Sequence, residues 1–154
     1  MTDPRPDALR PVRALQVAQE RDWTLTVLDI DAAYKRYLAE GELWLPFCAS
    51  CSRFLPAWIS RCADHWDAGM EMAQVVGEFR LWSWVEYLRS YPLPVAVEAP
   101  YIVAAVDIEK GPRVHGFVLG PAAEIEGRGR GVPMLLDRER TKSLGTPVFK
   151  FASE

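Results

Sequence analysis

The stretch FCASCSRFLPAWISRCADHWD, residues 47–67, holds all three cysteines of the chain and one of its two histidines. Two short steps are nested in it: Cys48-x2-Cys51 and, ten residues further on, Cys62-x2-His65. A Cys-x2-Cys knuckle turns sharply enough for both thiolates to face one ion, and a second knuckle of the same step completes a tetrahedron around Zn²⁺. The imidazole of His65 is neutral, so the site carries one negative charge less than four thiolates would. Four protein donors leave no open position, and closed sites hold folds rather than perform reactions. Binding of this kind contributes on the order of 10 kcal/mol to a module too small for a core of its own. Other readings stay open: a relic that binds metal weakly, a rubredoxin-like iron site, which would favour four thiolates, or a catalytic cysteine paired with His65. That last chemistry normally uses a single nucleophile with a base and an orienting group.

Outward from this stretch, composition narrows the classes. The chain has 154 residues, 49% hydrophobic and 25% charged, with six Trp, five Tyr and six Phe. That suits one ordinary globular domain or a small domain with an appendage. A net charge of −3 gives no general attraction to a polyanion and disfavours nucleic acid. No run reaches the roughly 18–20 apolar residues that span a bilayer, and MTDPRPDALRPVR lacks the apolar segment of a signal peptide. A cytoplasmic location is expected. Thiols stay reduced there, which again favours metal over disulfides.

The stretch to Thr26 has prolines at 4, 6 and 11 and no periodicity, so it reads as extended or loosely attached. Asp29 or Asp31 is a plausible N-cap for a short helix with Tyr34, Tyr37 and Leu38 on one side, stopped by Gly41. Beyond Val75 the pattern becomes that of strands. VVGEFRLWSWVEYL sets Phe79, Leu81 and Val85 against polar neighbours, and YIVAAVDI, Gly111-Pro112 and VHGFVLG read as a hairpin over 101–119. EGRGRG reads as a loop, VPMLL as a fourth strand and PVFKFA as a fifth. The expected fold is therefore mainly β: an N-terminal extension and helix over 1–40, a metal ribbon over 41–70, and a five-stranded barrel or sandwich over 71–154.

A helix leading into AEGELWLPFCASCSRFLPAWISRC, and then PYIVAAVDIEKGPRVHGFVLG, resembles the DUF35 proteins over about residues 28–152. That resemblance implies a rubredoxin-like zinc ribbon joined to an OB-fold. It also implies a non-catalytic companion of thiolase-superfamily enzymes: acetoacetyl-CoA thiolase with HMG-CoA synthase, phloroglucinol acyltransferases, or thiolase-like aldolases of steroid side-chain breakdown. Such subunits bridge their partners in a hetero-oligomer and help shape an acyl-CoA channel. Cys48, Cys51, Cys62 and His65 are then the zinc ligands, although the family places Cys where this chain has His65.

Other residues point elsewhere less strongly. Trp82 and Trp84, two apart on a strand, share a face and suggest the runner-up function, an OB-fold binding single-stranded nucleic acid. Only Arg80 and Arg89 lie near them, and packing or an interface is the simpler role. Arg128 and Arg130, with Arg138, Arg140 and Lys142 beyond, could meet coenzyme A phosphates, but Glu124, Glu126, Asp137 and Glu139 lie among them. GRGRG has no Lys-Ser/Thr to make a P-loop. His115, between apolar neighbours, reads as structural, and no carboxylate pair has acid–base spacing. No catalytic residue is expected in this chain.

Overall fold

The structure, a computed structural model, describes residues 27–66, 70–92 and 97–152. The stretch before Val27, expected to be loosely attached, lies outside the described residues. Helix α1, Val27–Ala39, presents Ile30, Ala33, Tyr37 and Leu38 inward at the 3/4 spacing of an amphipathic helix. Asp29 sits in its first turn and Asp31 bonds Lys35 at 2.8 Å, so the helix begins ahead of the cap expected at either aspartate. Gly41, at φ +77°, ends it as expected. A Cβ there would lie 2.6 Å from the Arg138 carbonyl oxygen.

Three short strands follow: β1 (Trp44–Cys48), β2 (Arg53–Phe54) and β3 (Met70–Gln74), antiparallel in the order β2-β1-β3. The small sheet thus continues to Gln74. All five residues of β1 are buried, because both faces are covered. Leu45 and Phe47, with Leu43 ahead of them, join the barrel core, while Trp44 and Cys48 alternate onto α1, where Trp44 stacks on Tyr37 at 4.4 Å.

The barrel is closed, in the order β4-β5-β6-β8-β7, from β4 (Phe79–Tyr87), β5 (Tyr101–Asp107), β6 (Arg113–Val118), β7 (Pro133–Leu136) and β8 (Val148–Phe151). Only the β6–β8 pair is parallel. This is OB-fold topology, and the five strands and the hairpin fall where the sequence places them. Two short helices were not anticipated: α2 (Ala122–Arg128), which takes in the first half of EGRGRG, and α3 (Arg138–Leu144). Each buries a single side chain, Ile125 and Thr141, too little for a visible apolar period. Asp137 caps α3 by accepting from the Arg140 amide, and Gly145 closes it in the left-handed region.

Strand β4 departs from simple alternation. Its register against β5 shifts between Leu81 and Ser83, a bulge that sends the second half of the strand to the other face. Phe79 and Leu81 point into the core, but Val85, expected with them, is 57% exposed, and Trp84 packs inward instead.

One apolar cluster runs from Leu43, Phe47 and Phe54 through Phe79 and Val106 to Phe149, so small sheet and barrel share a core. Tyr34 packs against this cluster and against the one under α1. Burial pushes its phenol up to about 12. The folded state thus keeps a proton that the unfolded chain releases near pH 10. Stability from this group is complete below pH 10 and is lost as pH rises to about 12, on the order of 2 kcal/mol. Tyr34→Phe should flatten that limb in denaturant melts between pH 9 and 12, and an unchanged limb would show that Tyr34 does not titrate this way.

Candidate metal centre

Cys48 ends β1, Cys51 lies in the turn before β2, and Cys62 and His65 lie in the connection to β3. The fold brings the two knuckles together: one donor atom from each of the four lies within 4.8 Å of all the others. Cys51 Sγ is 3.7 Å from Cys62 Sγ, and His65 Nδ1 is 3.7 Å from Cys48 Sγ and 3.6 Å from Cys62 Sγ. A tetrahedral ion with bonds of about 2.3 Å to sulfur and about 2.05 Å to nitrogen separates two sulfurs by about 3.8 Å and sulfur from nitrogen by about 3.6 Å. The donor set therefore fits a single four-coordinate ion, with Nδ1 as the imidazole ligand.

Local backbone explains the arrangement. Ser52, after the second cysteine, takes φ +52°, which tightens the turn. Burial pushes the Cys48 thiol up, but hydrogen bonds from the Cys51 and Ser50 amides and from the neighbouring thiols more than offset it, leaving Cys48 below its ordinary value. Cys51 is pushed up to about 11 by burial and by the two thiols beside it. Three such groups share negative charge only when a cation compensates them, which is what a bound ion supplies. Cys48 and Cys62 are buried, while Cys51 and His65 are partly accessible. With every donor turned inward, the arrangement can hold an ion but offers no position for a substrate.

The remaining candidates do not assemble into a second site. Trp82 and Trp84 do not share a face, because the bulge separates them. Trp82 stands on the surface with Arg113 at 3.9 Å and Arg130 at 4.3 Å from its ring centroid. Those guanidiniums lie over the ring and Trp84 packs against the core, so the two indoles do not make the single face that the runner-up reading would use. Sequence alone could not reveal this clamp, since its three residues are remote and the bulge has no glycine to announce it. Arg128 lies over Phe151 at 4.5 Å, away from Arg130. His115 faces solvent rather than the core. Between the two knuckles, Phe54 is a core residue and Trp58 is 66% exposed. Between sheet and barrel lies a cavity of about 510 Å³ with Phe47, Phe54, Val75 and Ile108 among its lining and Arg80 and Lys110 beside them. Among the described residues, no helix is long and apolar enough to cross a membrane.

No protein-family profile matches the chain, and no curated protein matches it by sequence. A solved structure titled "Ltp2-ChsH2(DUF35) aldolase" does match in fold, with a TM-score of 0.62 and 24% identity, over 80% of this chain and 94% of that one.

Proposed function

We propose that the chain is a DUF35-type companion subunit: a zinc-stabilised ribbon and OB-fold barrel that carries no active site and supports a thiolase-like acyltransferase or carbon–carbon lyase in a cytoplasmic hetero-oligomer. The observation that carries this reading is the fold likeness to a chain of the solved structure titled "Ltp2-ChsH2(DUF35) aldolase", over 94% of that chain. Two features support it. The Cys48, Cys51, Cys62 and His65 geometry suits a structural ion, and Trp58 and Trp66, 66% and 63% exposed in the segment that carries those donors, are large apolar bodies of the kind enriched at interfaces. Bridging of partner subunits would use this aromatic end. The cavity between ribbon and barrel, where apolar Phe47, Phe54, Val75 and Ile108 meet the charged Glu78, Arg80, Asp107, Glu109 and Lys110, would contribute its apolar part to an acyl-CoA channel.

Co-expression with a thiolase-superfamily protein encoded beside it tests the reading. A stable complex should elute as one species, with turnover that neither component shows alone. Double substitution of Trp58 and Trp66 by serine should weaken that complex at least tenfold, because aromatic anchors carry much of interface affinity. A monodisperse free chain that binds no such partner, or turnover by the chain alone, would overturn it.

A further inference from the structure

Among the cysteines, Cys51 and Cys62 are distinguished by position. Their sulfurs face each other at 3.7 Å and join one knuckle to the other, while His65 Nδ1 lies against both Cys48 and Cys62, at 3.7 Å and 3.6 Å. Cys51 is partly accessible and Cys62 is buried behind it. We propose that this pair is a hydroperoxide-responsive site, closing a disulfide between the knuckles and not within the Cys48-x2-Cys51 step. The proposal stands on the thiol geometry and takes from the metal reading only that an ion lies among the donors.

The chemistry balances with a hydroperoxide as oxidant. One sulfur of the pair, as its thiolate, attacks the O–O bond, forming a sulfenic acid as that bond breaks and water or an alcohol leaves. The other sulfur then attacks the sulfenic sulfur, the S–S bond forms, and hydroxide departs to be protonated. Two electrons pass from the thiols to the peroxide, and their two protons end on the products. The sulfurs need approach by only about 1.7 Å to reach a covalent length of about 2.05 Å. Cys48 and His65 remain, two donors where a structural site uses four. Ile30, Ala33 and Tyr37 of α1 pack in one cluster with Cys48 and Cys62, so loosening of the knuckles reaches the helix.

Stepwise oxidation of the full chain with hydrogen peroxide, followed by alkylation, trypsin and non-reducing mass spectrometry, tests this. Cleavage after Arg53 and Arg61 leaves Cys48 and Cys51 on one peptide and Cys62 on another. The expected product links the two peptides with Cys48 alkylated, loses two hydrogens in mass, lowers the free thiols from three to one, and reverts with dithiothreitol. Metal release into a chromogenic chelator should follow the same dose. A bond between Cys48 and Cys51, irreversible Cys51 oxidation with Cys62 still alkylatable, or thiols unchanged at doses that oxidise a small-molecule thiol would overturn the proposal. Metal content measured on the same sample fails separately: a metal-free chain refutes the structural-ion reading, while the peptide map still decides the pairing.

Discussion

On the structural-ion reading, Cys62→Ser is expected to take the metal content of the purified chain from about one equivalent to near none and to loosen the small sheet. Cys62 is 3% exposed and packs with Tyr37, Trp44 and Met72, so its loss takes away a ligand and leaves a hydroxyl in an apolar cluster. Structural zinc in small modules contributes on the order of 10 kcal/mol. Because this sheet shares its core with the barrel, the variant should lose several kcal/mol from the one transition that sheet and barrel make together. Elemental analysis with amide hydrogen exchange across β1–β3 provides the check, and chelation of the unaltered chain should reproduce the exchange pattern. Full metal content in the variant, or unchanged protection, would remove the structural-ion reading.

Phe47→Ala is the second large effect. Its ring is 1% exposed, meets Phe54 edge-on at 5.2 Å, and belongs to the cluster that runs on to Phe79 and Phe149. Truncating a buried Phe to Ala typically loses about 3–5 kcal/mol. Because the core is shared, that loss should appear in one transition for sheet and barrel together. Denaturant unfolding followed by tryptophan emission and by far-ultraviolet circular dichroism should give coincident, shifted curves. A barrel transition that keeps its midpoint while the sheet melts early would show that the two cores are separate.

Much of this was readable from residues. Cysteine and histidine spacing led to the cluster of four donors because such a set is a local constraint, met within about twenty residues. Five strands were legible because β-branched runs and the Gly111-Pro112 turn are strong local signals. What escaped was decided at a distance. The bulge in β4 answers the curvature that barrel closure demands, and it moved Val85 and Trp84 to faces that alternation could not foresee. Helix α3 left a legible pair of caps, Asp137 and Gly145, but its charged interior masked them. The contribution of Phe54 to the barrel core was hidden because a residue beside a metal knuckle looks like part of the knuckle.

Surface turns usually absorb added residues freely, yet the one joining β5 and β6 should not. Its Lys110, at φ +54°, accepts a hydrogen bond from the Phe54 amide at 2.8 Å, and a Cβ on Gly111 would fall 2.5 Å from Ile108 and 2.9 Å from Phe54. Residues 108–112 therefore act as a spacer of set length wedged beneath the ribbon. Epitope tags, cleavage sites or new chain ends placed there would prise the molecule open, so engineering for labelling belongs at other loops, and natural length variants of this turn should be accompanied by changes in β2.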